Sequence, residues 1–302
     1  MRITIATRRS PLARCQTEWV AAALCAAQPG LETALLALST RGDELLDRRL
    51  APLGGKGLFI KALEAALASG RARLAVHSLK DLPAQLTPGF VLAAIPVRAD
   101  ARDMLVSRHG PGLVDLPPGA RVGTASLRRQ AQLLAARPDL CVETVRGSVQ
   151  TRLSKVDTGA LDAVVLAAAG LERLGLARGT PLPVELMLPA SGQGALALEI
   201  RADDTELAAV AQKIEDADAR VAAQAERAFC KRLGASCAAP VAAYATVAAQ
   251  RVRLRVRVVA VDGSEVLAAE GETAGGQAVA LGERLADELL ARGAGPLIAM
   301  PA

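Results

Sequence analysis

Aromatic side chains are scarce in this 302-residue chain: three Phe, one Tyr and one Trp, 2% in all. A groove that binds single-stranded nucleic acid by stacking needs a succession of aromatic faces, which this chain lacks. Histidine occurs only at positions 77 and 109, so no Ser/His/Asp arrangement is compelling. The five cysteines, Cys15, Cys25, Cys141, Cys230 and Cys237, are odd in number and include no C-x-x-C pair. That argues against a disulfide framework and against a zinc cluster. No apolar run approaches the roughly 20 residues that cross a bilayer. The start, Ile3 to Ala6 followed by Arg8-Arg9, is too short for a signal segment. Nucleotide motifs of the G-x-G-x-x-G and G-x-x-x-x-G-K-[ST] types are missing, and Gly192-Gln193-Gly194 is too short to count. The expectation is a cytoplasmic protein that takes no metal, no nucleic acid and no membrane.

Hydrophobic residues make up 51% of the chain, enough for one large core or two to three ordinary ones. Lys+Arg is 36 against Asp+Glu 31, a net charge of +5. Such mild basicity suits acidic metabolites better than a polynucleotide. Lysine occurs only at positions 56, 61, 80, 155, 213 and 231, so arginine supplies most cations and its placement carries the information.

Up to about position 200, short apolar runs alternate with helical periodicity, the pattern of α/β architecture with a largely parallel sheet. Ile3 to Ala6 reads as a strand, Ser10 as an N-cap with Pro11 opening a helix to about Ala27, and Leu58, Leu63 and Leu67 as a second helix closed by Gly70. Leu74 to His77 is a short buried strand. Pro96 to Asp103 reads as a crossing into a second set of such units, with Arg121–Gly123, Val142–Val145 and Ala163–Ala167 as strands and helices starting near Ser126 and Ser148. Ala195 to Ile200 is a return strand. Two such lobes would enclose a cleft, and the Gly-rich stretch from Glu44 to Gly57 reads as a lid over it. The remainder is a small α+β domain: a helical stripe through Val221, Ala225, Ala228 and Phe229, a strand at 251–258 alternating Arg with Val or Leu, a hairpin signal at Asp262-Gly263, and a last helix marked by Leu281, Leu285 and Leu289.

Arginines recur where helices are expected to start: Arg8-Arg9 before Ser10, Arg128-Arg129 after Ser126, Arg146 and Arg152 around Ser148. Cations there oppose the helix macrodipole by about 0.3–1 kcal/mol each, a cost that a bound anion reverses. One such pair is ordinary surface charge; three in a row point to a ligand with several negative groups. Asp81 follows a buried strand directly, where it either caps loop N–H groups or faces the ligand and stabilises a developing cation. His77 reads as a hydrogen-bonded strand residue. Cys237 lies in the small-residue loop Gly234-Ala235-Ser236-Cys237, which can present a thiol, although a buried inert cysteine is the plainer reading. Cys15, Cys25, Cys141 and Cys230 fall on expected helices or strands and read as inert.

These residues resemble the hydroxymethylbilane synthase (porphobilinogen deaminase) family over almost the whole chain. The stretches that carry the likeness are Ala6 to Ala13, Thr40 to Asp43, Gly54 to Phe59, Ala75 to Pro83, Gly123 to Gln130, Arg146 to Leu153 and Pro189 to Ala195. The resemblance implies two doubly wound lobes similar to periplasmic binding proteins plus a small C-terminal α+β domain, divided as 1–97 with 197–215, 102–192 and 218–302. It implies a monomer whose dipyrromethane cofactor is held by a thioether at Cys237. Four porphobilinogen molecules lose ammonia in turn, each giving an electrophilic azafulvene that the terminal pyrrole attacks, and hydrolysis releases hydroxymethylbilane for heme synthesis. Catalytic roles fall to Asp81, Lys80 and Arg8. Cofactor contacts fall to Ser78, Lys80, Asp81, Thr124, Ser126, Arg128, Arg129, Arg146 and Ser148. Substrate contacts fall to Arg8, Ser10, Gln16, Arg146, Arg152, Arg173, Lys56 and Phe59. One departure is Ala235-Ser236 where the family commonly has two glycines before the cysteine; Cys230 is the fallback tether. The rival reading is a two-lobed anion-binding protein without chemistry.

Overall fold

In the computed structural model, residues 1–38, 60–236 and 239–298 are described. They form two compact units: Met1–Ala99 with Ala195–Arg220, and Asp100–Gly194 with Val221–Ala302.

The first unit starts with β1 (Arg2–Arg8). Ser10 then caps α1 (Pro11–Ala27), its Oγ accepting the Ala13 N–H at 3.3 Å, with Pro11 in the first turn where its missing N–H costs nothing. β2 (Glu32–Leu38), α2 (Lys61–Ala68), β3 (Leu74–Ser78) and β4 (Phe90–Ala94) follow. Far along the chain, β10 (Leu196–Arg201) completes the sheet in the order β2-β1-β3-β10-β4. Ile3, Ile5, Val76, Leu198 and Ile200 pack one face against α1 and α6 (Thr205–Ala211); Ala6 and Ala75 pack the other against Leu63 and Leu67 of α2. The sheet is mixed rather than largely parallel, because β10 is antiparallel to both neighbours.

The second unit repeats the plan. Its strands are β5 (Asp103–Ser107), β6 (Arg121–Gly123), β7 (Cys141–Glu143), β8 (Ala163–Ala167) and the two-residue β9 (Thr180–Pro181), in the order β7-β6-β8-β5-β9. Between them lie α3 (Leu127–Ala136), α4 (Val149–Asp157) and α5 (Ala168–Arg173). Leu105, Val122, Ala163 and Val165 face Leu133 of α3, and Val106, Val164 and Leu166 face Leu153 and Val156 of α4, the two-sided burial that makes these strands continuous apolar runs.

The same unit contains an antiparallel meander, β11 (Val241–Ala248), β12 (Arg251–Val259) and β13 (Val266–Ala274), packed on α7 (Ala217–Arg232) and α8 (Ala278–Ala291), with the short α9 (Ala294–Ile298) after it. β12 alternates as expected, with Val252, Leu254, Val256 and Val258 buried and its arginines on the other face. Helices α7 and α8 cross so closely at Gly282 that a Cβ there would lie 2.3 Å from the Ala225 carbonyl oxygen. Gly282→Ala is therefore expected to lower stability by about 1–3 kcal/mol through overpacking, read as a lower urea midpoint at unchanged slope; an unchanged midpoint would contradict the close crossing.

Candidate functional site

Chain direction decides where each sheet can take a ligand. In the first unit the path from β1 runs through α1 to β2 on one side, and β3 then lies on the other, so the connections diverge between β1 and β3. At such a switch point the loops leave the carboxyl ends of the strands in opposite directions and open a crevice. Arg8 ends β1 there with Ser10 just after it, and Ser78 ends β3, followed by Lys80 and Asp81 in a single 3-10 turn Leu79–Asp81. The turn is fixed by the Leu79 N–H on the Ala195 carbonyl at 3.0 Å. Asp81 is exposed; Arg8, Ser10, Ser78 and Lys80 are half-buried. Gln16, buried on α1, holds Ser78 with Nε2 donating to Oγ at 3.0 Å. His77 is the hydrogen-bonded strand residue anticipated, its Nε2 lying 2.8 Å from the fully buried Glu199 Oε2.

The corresponding divergence in the second unit lies between β6 and β8. Thr124 follows β6, buried, with Oγ1 accepting the Ser126 N–H at 3.1 Å. Ser126 occupies the cap position of α3 without a side-chain bond to the helix, and the first turn holds no acidic residue. Ser148 caps α4, accepting the Thr151 N–H at 3.1 Å; Arg146 before it is exposed. Arg152 donates Nε–H to the Gly147 carbonyl at 3.1 Å, and Arg173, ending α5, donates to the Gly194 carbonyl at 2.8 Å.

Arg128 and Arg129 differ from the exposed helix-start cations that spacing suggests. They are 4% and 6% exposed and converge on Asp103, which is fully buried. Arg128 donates Nη1–H to Asp103 Oδ2 at 2.8 Å and to the Leu188 carbonyl at 2.7 Å. Arg129 donates Nη2–H and Nε–H to Asp103 Oδ1 at 2.7 and 3.0 Å and Nη1–H to the Val165 carbonyl at 2.9 Å. Gln193 joins them, donating to Asp103 Oδ1 at 2.9 Å and to the Ala101 carbonyl at 2.7 Å. Burial works against the Arg128 charge while Asp103 supports it. Two cations and one carboxylate leave a positive surplus.

Cys237, Lys56, Phe59 and the Glu44–Gly57 stretch lie outside the described residues. The fallback tether is described: burial pushes the Cys230 thiol up to about 12, only partly offset by a hydrogen bond with Ser191. Burial therefore favours the neutral thiol over the thiolate that a nucleophile needs. Cys141 departs from the buried expectation, being exposed at the start of edge strand β7. Sequence reasoning passed over Asp103, Gln193, Glu199 and Glu226. Of these only Glu226 left a signal: it sits one residue after Ala225 and three before Phe229, on the apolar stripe of α7. Among the described residues no three His, Cys, Asp or Glu side chains gather as metal ligands would.

Removing the shared carboxylate strands two desolvated guanidinium groups, so Asp103→Ala is expected to cost about 3–5 kcal/mol. Denaturant unfolding measures this, and a loss under 1 kcal/mol would show that the arginines find other compensation.

The family model described as porphobilinogen deaminase, dipyromethane cofactor binding domain, matches residues 3–209, and that of the porphobilinogen deaminase C-terminal domain matches residues 221–291. The chain is 50% identical over 301 residues to the porphobilinogen deaminase of Chromobacterium violaceum, covering 99% of this chain and 97% of that one. It is 48% identical over 299 residues to that of Syntrophotalea carbinolica, with 98% and 95% covered. The Bordetella parapertussis enzyme is 49% identical over 301 residues, with 99% and 96% covered. Both halves of the sequence thus match one kind of protein from end to end, and the chain belongs to the porphobilinogen deaminase family.

Proposed function

We propose that this chain joins four porphobilinogen units into hydroxymethylbilane, with loss of ammonia, using Asp81 at the reacting ring and the second unit's arginines on the primer. It is a transferase of porphyrin biosynthesis with a dipyrromethane cofactor. Arg128 carries the reading of the site. Its Nε is buried and has no hydrogen-bond partner among the described residues, and with Arg129 it outweighs the charge of Asp103. Beside it the first turn of α3 has neither a side-chain cap bond nor an acidic residue. A desolvated donor, surplus positive charge and an open helix N-terminus are all met by a carboxylate. Dipyrromethane bears several, so the residues present fit the group.

Thr124, Ser126, Arg128, Arg129, Arg146 and Ser148, with Ser78, Lys80 and Asp81, would hold the cofactor, and Cys237 would form its thioether. When bound, it would supply the free pyrrole carbon to which the first new ring is joined, each later ring joining the one before it. Arg8, Ser10, Gln16, Arg146, Arg152, Arg173, Lys56 and Phe59 would bind acetate and propionate groups or the ring of the incoming monomer. As the aminomethyl C–N bond of porphobilinogen breaks and ammonia leaves, positive charge spreads over its ring. The exposed Asp81 carboxylate stabilises that charge, and it takes the proton released once the new C–C bond forms. Lys80 and Arg8 orient the same monomer through its carboxylates. We read the chain further as three domains, 1–97 with 197–215, 102–192 and 218–302, and as a cytoplasmic monomer that handles neither nucleic acid nor membrane.

Intact mass and porphobilinogen consumption test the assignment. Cys237→Ala is expected to carry no dipyrromethane adduct and to lose turnover, while Cys230→Ser keeps both. Asp81→Asn, a change at an exposed turn, should unfold at the same temperature and lose on the order of 10²–10³ in kcat. An adduct on Cys237→Ala protein, or near-full turnover by Asp81→Asn, would reject the corresponding role.

A further inference from the structure

Residues 185–194 are gripped from two sides within the second unit. From the α/β part, Gln132 of α3 donates Nε2–H to the Leu188 carbonyl at 3.1 Å and to the Arg128 carbonyl at 3.3 Å, while its Oε1 accepts the Leu188 N–H at 2.9 Å. From the C-terminal part, the Ala243 N–H reaches the Pro189 carbonyl at 3.1 Å, and the buried Glu226 carboxylate accepts the Gly192 and Ala245 N–H groups at 2.6 and 2.7 Å. The hairpin tip at Gly263 lies on the end of α3, where a Cβ would stand 2.4 Å from the Ala135 nitrogen. Arg257 of β12 reaches furthest, donating to the Glu185 and Leu186 carbonyls at 3.0 and 3.3 Å and to Gln132 Oε1 at 2.9 Å.

Gln132 is buried and saturated. Its oxygen faces two N–H donors and its nitrogen two carbonyls, so a flipped amide would set like against like. Arg257 is poorly rewarded by contrast. Its Nε is buried without a hydrogen-bond partner among the described residues, and burial beside Arg255 disfavours its charge. An apolar side chain of similar length would avoid that desolvation while losing three hydrogen bonds, so the net gain in stability from the arginine is small. Its distinctive contact is the one on Gln132. Through Gln132 it braces the Leu188 carbonyl, which also accepts Nη1–H of Arg128 at 2.7 Å.

We propose that Arg257 and Gln132 are positioning residues: through the Leu188 carbonyl, the domain that bears the tether loop fixes the guanidinium of Arg128 on the primer. This rests on Arg128 binding a primer carboxylate, as proposed above. Arg128 is then held against the domain whose sequence carries the tether, so the primer is presented to the first incoming ring in one position. Because the primer is positioned and the monomer is not, loss of the contact acts on turnover and spares monomer binding.

Adduct-bearing enzyme decides it. Arg257→Met should unfold no earlier than the unaltered protein and keep the adduct mass. Its kcat per adduct-bearing molecule should fall about ten- to hundredfold, with KM for porphobilinogen unchanged. Arg257→Lys, which retains a donor, should recover part of the loss. Gln132→Glu, which still accepts from Leu188 but no longer donates to its carbonyl, should repeat it. Unchanged kcat in Arg257→Met, a raised KM in place of a lowered kcat, or failure of all three variants to give folded adduct-bearing protein would overturn the proposal, the last by showing a purely structural joint. An unaltered protein without adduct would instead refute the cofactor assignment itself.

Discussion

The Asp103 carboxylate has no exposure and two guanidinium groups against it, and much of the second unit is arranged by that requirement. An ionised carboxylate without water survives only when cations and N–H donors surround it closely. Meeting that condition ties together the start of β5, the first turn of α3, the Val165 carbonyl on β8 and Gln193 after the last helical turn of the lobe. The same condition leaves α3 beginning with positive charge that its own residues do not cancel. Structural need and the proposed ligand affinity thus draw on one cluster, in which both arginines bind Asp103 and the Nε of Arg128 has no partner among the described residues.

Local chemistry was legible in the residues and distant pairing was not. Ser10-Pro11 announces a capped helix because cap and first turn are adjacent, and α1 starts there. The apolar run Ala163 to Ala167 and the Arg/Val alternation of 251–258 announce β8 and β12 because burial on two faces or one writes directly into the pattern. Glu32–Leu38 went unread as a strand: its Ala-Leu composition has no period of two and no β-branched residue but Thr33. The antiparallel entry of β10 depends on a partner more than a hundred positions away in sequence, which no local window contains.

The site divides along the same line. Arg8, Ser10, Lys80, Asp81, Ser126, Arg146 and Ser148 were placeable because they end strands or begin helices, and those ends do meet solvent or loops. What the arginines do there was hidden, because Asp103 lies 25 residues before Arg128. A count of cations at helix starts therefore overstates what a ligand can use: part of the charge is already spent inside the fold.

Strand β10 also dictates an order of assembly. It lies inside the first sheet, between β3 and β4, yet is separated from β4 by the whole α/β part of the second unit. On a ribosome adding about 5–20 residues per second, β3 and β4 wait roughly 5–20 s for the strand that joins them. Meanwhile the edge of β3 turned away from β1 and the edges of β4 lack partners, the condition under which strands pair wrongly with other chains. The first sheet therefore cannot close before residue 201 has been made.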